Sequence, residues 1–136
     1  MNDFWADAEV ISAYSRAQAI GDGVLKDVTE LAREAGFTYP VALTAGAWAE
    51  AVTWNPAQGE GQDETGRLWD VVWMGSAAIR RNRGRHAAAT NRLPFHLYRI
   101  PNVPDATEAT ELELVMEIGG GDEGEPVITI MLPTED

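Results

Sequence analysis

The sequence predicts an α+β protein in which N-terminal helices and one long central helix pack on a C-terminal antiparallel sheet of three strands or slightly more. Three observations carry this expectation. Apolar residues recur at helical spacing through the first part of the chain, most clearly at Leu68, Val72, Gly75 and Ile79. Residues 110–118 alternate, with Leu112, Leu114, Met116 and Ile118 on one side and Glu111, Glu113 and Glu117 on the other. Helical patterns come first and strand patterns last, so the helical half must cover a face of the sheet. With 136 residues and no linker long enough to divide them, residues 1–136 are expected to form a single domain.

Residues 7–20 read as the first helix. Val10, Ile11, Tyr14, Ala17 and Ile20 line one face, and Asp7 and Glu9 occupy the first turn, where the helix dipole favours acids. Gly21-Asp22-Gly23 stops it. Residues 24–28 are a short strand candidate. Thr29 is placed to cap a second helix over 30–35, with Gly36 just past its end. Residues 37–41 read as extended, and Pro40 confines them to an edge or a loop. Thr44 opens a helical stretch over 45–52. A polar, Gly-rich loop covers 55–66.

Thr65 is expected to cap the longest helix, which runs to about Arg81. Trp69 and Trp73 widen its apolar stripe, and Gly75-Ser76-Ala77-Ala78 lets a neighbour approach closely. A basic loop follows over 82–92. Strands are expected over 93–100, 110–118 and 127–132. The last is a nearly continuous apolar run rich in β-branched residues, as in a strand covered on both faces. Residues 119–124 supply a flexible hairpin turn between the last two strands.

The net charge of −12 is laid out in blocks. Residues 1–66 hold 11 acids and 3 bases (−8), residues 67–99 hold 1 acid and 7 arginines (+6), and residues 100–136 hold 10 acids and no base (−10). Nine of the ten bases are Arg, which pairs with carboxylates in a two-pronged geometry that Lys cannot match. The plain expectation is that the arginines fold back onto the acidic segments. The sharper one is that part of the acidic surface remains free for a basic partner. Cysteine is absent, which excludes disulfides and thiolate zinc sites. No apolar run reaches the ~20 residues of a membrane helix, and the N-terminus lacks a basic start and an apolar core, so a cytoplasmic location is expected.

No constellation announces a reaction, and no catalytic residue, metal site or cofactor is assigned. Ser76 lies in a helical pattern rather than a nucleophile elbow. His86 and His96 stand ten residues apart, with no further ligand at zinc spacing. The Gly-rich stretches around Gly59 and Gly119 carry acids, which repel phosphate. Asp70 lies among tryptophans and could be a carboxylate of raised pKa within an active site, together with the 55–66 loop. The simpler account is an Arg67–Asp70 pair on the exposed flank of the helix. Arg80, Arg81, Arg83 and Arg85 form a basic patch able to meet phosphates, but the flanking acidic blocks oppose direct nucleic-acid binding.

Residues 62–74 (QDETGRLWDVVWM) and 125–133 (EPVITIMLP) resemble a small bacterial family of unknown function. Residues 11–20 resemble its opening helix, with Gly21 and Lys26 departing from the commoner apolar residues there. The resemblance covers the chain from Asp3-Phe4-Trp5 to its end. It implies an accessory protein of plasmids, integrated elements or phages, and brings no catalytic residues with it.

These readings combine into one expectation: a non-enzymatic acidic binding protein, of the anti-CRISPR or anti-restriction kind. It would dock on the basic surface of a host protein or nucleoprotein complex. Its expected contact residues are Glu108, Glu111, Glu113 and Glu117, with Asp122, Glu123 and Glu125 on the hairpin. The alternatives are nucleic-acid binding through the Arg80 to Arg85 patch and an enzyme with its site near Asp70.

Overall fold

The computed structural model describes residues 14–82 and 91–135. Helices and strands alternate through the first half, and the described residues form a sheet of five strands, where three or slightly more are expected. In chain order these are β1 (Leu25–Asp27), β2 (Val41–Thr44), β3 (Arg92–Arg99), β4 (Thr110–Gly120) and β5 (Pro126–Met131). Their order across the sheet is β1-β2-β5-β4-β3. The pairs β1–β2, β4–β5 and β3–β4 are antiparallel, whereas β2 and β5 run parallel, so the sheet is mixed.

The expectation of a purely antiparallel C-terminal sheet fails at β2, for a local reason. Its four residues run straight into a helix capped by Thr44, so no strand periodicity can develop before helical spacing takes over. Pro40 does not bar it from the interior. Proline lies just before the strand, where its carbonyl accepts from Ile128 N at 2.9 Å.

Among the described residues four α-helices pack on the sheet: α1 (Arg16–Gly21), α2 (Thr29–Ala35), α3 (Ala45–Ala51) and α4 (Glu64–Asn82). The expected continuous helix over 7–20 is broken at Ser15. That residue is extended (φ −72°, ψ 155°), and its hydroxyl and Gln18 form a reciprocal capping box that starts α1. The remainder of that expected helix, 7–13, lies outside the described residues. Thr29 is the first residue of α2 rather than its cap. Its hydroxyl donates to Asp27 Oδ1 at 2.6 Å and accepts from Val41 N at 3.1 Å, tying β1, α2 and β2 together.

Gly36 ends α2 at φ 111°, a conformation that side chains with a Cβ resist. Helix α4 begins earlier than Thr65 predicts, because Asp63 is the capping side chain and accepts from Gly66 N at 2.6 Å.

Helices α2, α3 and α4 cover the sheet face that carries Val41, Leu43, Ile130, Leu114 and Phe95. Gly75 is the point of closest approach. A Cβ there would lie 3.2 Å from Met116 Sδ and 3.3 Å from Phe37 Cζ. Gly75→Val is therefore expected to destabilise the fold by about 1–3 kcal/mol through overpacking; a denaturant midpoint equal to that of the parent would contradict it. Trp73 lies outside the apolar stripe it was expected to widen. It is half-exposed and stacks on Trp69 with ring centroids 5.7 Å apart.

Strand β5 is covered on both faces, as its apolar run predicts. Ile128 and Ile130 face the helical layer, while Val127 and Met131 are buried on the other side. Arg16 of α1 reaches this second face, donating to Thr129 Oγ1 at 2.8 Å and to Ile128 O at 2.9 Å. Among the described residues no helix is long and apolar enough to cross a membrane.

Candidate functional site: an acidic strand face

Alternation along β4 puts Glu111, Glu113 and Glu117 on the face opposite the helical core, and the register with β3 fixes their neighbours. Glu117 pairs with Arg92, its Oε2 lying 3.8 Å from Nε. Glu113 lies opposite His96, with Oε1 3.7 Å from Nε2, a contact that carries charge only when the imidazole is protonated. Glu111 lies opposite Tyr98, whose side chain is 70% exposed. Glu111 makes no ion pair among the described residues. The face thus grades from a neutralised end at Glu117 to a free carboxylate beside a free aromatic ring. Because β3 is an edge strand, this end of the sheet also carries backbone groups without a strand partner, and Pro94 interrupts that edge.

The other expected acids do not join one patch. Glu108 is exposed in the connection between β3 and β4. The hairpin acids lie beyond the far end of β4, whose 11 residues span about 35 Å. Asp122 is exposed but engaged within the chain, its two oxygens accepting from Arg16 N at 2.7 Å and Ala17 N at 3.0 Å at the start of α1. Glu125 accepts from Glu123 N at 2.9 Å and folds over Gly121, where a Cβ would clash with its carboxylate. Burial lowers the pKa of Arg16, and the charges of Asp27, Asp122 and Glu125 pull it back up. Of the hairpin set, Glu123 alone keeps its side chain clear of these bonds.

The arginine-rich middle departs furthest from expectation. The Arg67–Asp70 pair does not form. Arg67 is 1% exposed and is held by carbonyls: Nε donates to Val52 O at 3.0 Å, Nη1 to Ile100 O at 3.0 Å and to Gln62 Oε1 at 3.2 Å. Its guanidinium stacks on Trp54, 5.0 Å from the ring centroid. Asp70 instead meets Arg99, 3.6 Å away, while Arg99 Nη2 donates to Arg67 O at 3.1 Å. The two guanidiniums thus knit α4, the end of α3, the 55–66 loop and the end of β3 into one hub.

Burial, and then the neighbouring Arg99, push the Arg67 guanidinium down to about 10, with Asp70 and Glu64 pulling the other way. Burial likewise lowers Arg99. Because the folded value of Arg67 lies below its ordinary one, the cost of holding its charge persists at any lower pH. That cost is relieved only as pH rises through about 10, so the hub adds no slope to stability near neutrality.

A sequence signal for this burial exists. Arg67 is the first member of the row Arg67, Val71, Gly75 and Ala78, all buried on α4, so it sits on the core stripe rather than the flank.

In the basic patch, Arg80 donates to Ser76 Oγ at 2.8 Å and covers Trp73 at 5.3 Å from the ring centroid. Arg81 is exposed. Arg83 and Arg85 lie outside the described residues, as does His86. No group of three or more metal-ligating side chains gathers among the described residues.

The fold and its surface define an α+β protein with an open five-stranded mixed sheet, an acidic strand face and a buried arginine hub. The chain belongs to a family described as a family of unknown function (DUF6573), whose model matches residues 1–136. No curated protein and no solved structure matches it.

Proposed function

We propose that the protein is a non-enzymatic binding module that docks on a basic protein surface through the β3–β4 face. The observation that carries this reading is the pairing of an unneutralised carboxylate, Glu111, with the exposed ring of Tyr98, beside Glu113 on the same face. An aromatic side chain supplies contact area at small entropic cost, and the surrounding acids steer a positively charged partner and fix its orientation. The net charge of −12 adds long-range attraction to such a partner.

Glu108 and Glu123 extend the acidic field at the two ends of β4, whereas Asp122, Glu125 and Glu117 contribute mainly to the fold. The finer reading is a cytoplasmic accessory factor of a mobile element that occupies a nucleic-acid channel on a host defence protein. That reading rests on the resemblance of residues 62–74 and 125–133 to small bacterial proteins of such elements, and on the similarity of an acidic strand to a phosphate backbone.

Capture of partners from host lysate at about 0.1 M and about 1 M salt, where the screening length falls from about 10 Å to about 3 Å, tests the reading. A specific partner should be retained at the lower salt and lost at the higher. Retention unchanged at the higher salt would overturn the electrostatic mode.

A further inference from the structure

A cavity of about 390 Å³ opens on the helical side of the sheet, away from the acidic face, and its size falls within the range of small-molecule sites. Its walls are mainly apolar, with Phe37 and Tyr39 after α2, Leu93 on β3, Met116 and Ile118 on β4, and Ile128 on β5, while Asn82, Asn91 and two arginines add polar groups. Tyr39 and Ile118 are both substantially exposed, so the described residues leave apolar surface at this cavity.

Two arginines line the cavity: Arg92 is engaged by Glu117 and by the carbonyl of Glu135, and Arg80 is held in place from the helical side. The Arg80 guanidinium is fixed by Ser76 Oγ at 2.8 Å and by the Trp73 ring. Ser76 is itself buried, and Gly36 leaves room for both, since a Cβ there would lie 3.0 Å from Ser76 Oγ and 3.6 Å from Arg80 Nη1. Among the described residues no carboxylate pairs with Arg80, in a chain where acids outnumber bases 22 to 10. A positioned guanidinium with no carboxylate partner among the described residues, at a mainly apolar cavity, is complementary to a molecule with an apolar body and an anionic head.

We propose that this cavity binds a small amphipathic carboxylate, with its hydrocarbon portion against Met116, Ile118 and Ile128 and its carboxylate on Arg80. Because the site lies on the opposite side of the sheet from Glu111 and Glu113, it stands independently of the partner-docking reading.

Titration of the whole protein with decanoate below its micellar concentration, followed by calorimetry and amide chemical shifts, tests the assignment. Decanol and decyltrimethylammonium serve as neutral and cationic controls. Decanoate should bind best and shift amides around Met116 and Ile128. Arg80→Gln should weaken decanoate about tenfold and leave decanol unchanged, while Arg80→Lys retains most of the preference for the anion. Ile118→Trp, at an exposed position, should weaken decanoate and decanol alike by filling the cavity. Failure of decanoate to bind, equal binding of the cationic control, an unchanged decanoate affinity in Arg80→Gln, or full binding in Ile118→Trp would each overturn the proposal.

Discussion

Arg67→Ala is expected to cost about 3–5 kcal/mol of folding stability, enough to lower the melting temperature by on the order of 10 °C. The substitution leaves the carbonyls of Val52 and Ile100 without their donors and empties the space above Trp54. Buried carbonyls stripped of partners cost about 1–3 kcal/mol each, and the void adds to that. Two companions separate the contributions. Arg67→Met keeps the apolar stem and loses the donors, so it should fall between parent and alanine. Arg67→Lys keeps the charge, but a single ammonium cannot reach both carbonyls as the guanidinium fork does, so it too should be clearly destabilised. Chemical denaturation of the three variants measures the order. A loss below about 1 kcal/mol for alanine would mean that the hub is not what joins α3, α4 and β3.

Reversing Glu111 and Glu113 to Lys together is expected to slow association with a basic partner by about ten- to a hundredfold at low salt. The change should fall mainly on the association rate, since exposed charges act chiefly during encounter, and should shrink as salt rises. Tyr98→Ala should act differently, raising the dissociation rate by removing the anchoring ring while leaving the salt dependence intact. Glu117 is left unchanged because a lysine there would face Arg92 across the strands and disturb the sheet itself. Surface plasmon resonance against the captured partner resolves the two rates. Equal association rates for parent and reversed variant would remove the acidic face from recognition.

What could be read from the sequence follows the range over which each signal acts. The alternation of β4, the two-sided burial of β5 and the helical spacing around Val72 are local patterns, and each corresponds to an observed element. Strand β2 could not be read this way, because Val41 to Thr44 is too short to show a period and its partners lie far away in sequence, at Leu25 to Asp27 and Ile128 to Ile130. The helix starts expected from Thr29 and Thr65 are displaced because aspartates two residues upstream hold the entering backbone, so each threonine falls inside the first turn. Asp27 accepts from Thr29 N and Asp63 accepts from Gly66 N.

For the candidate site, the common face of Glu111, Glu113 and Glu117 followed from period two. The loss of Asp122 to α1 did not, because the hydrogen bond from Arg16 N spans 106 residues. Arg67 was misassigned on chemistry: a charged residue type was expected at the surface although its spacing placed it among buried neighbours.

The parallel seam between β2 and β5 has a kinetic meaning. Val41 and Ile128 become neighbours although 87 positions separate them, and β5 also serves as the partner of β4. The middle of the sheet can therefore assemble only once β5 is present, so β1 and β2, joined through α2, remain a two-stranded unit without their central partner until then. Chains truncated before residue 126 should thus stay protease-sensitive, and chains that include β5 should acquire protease resistance in one step.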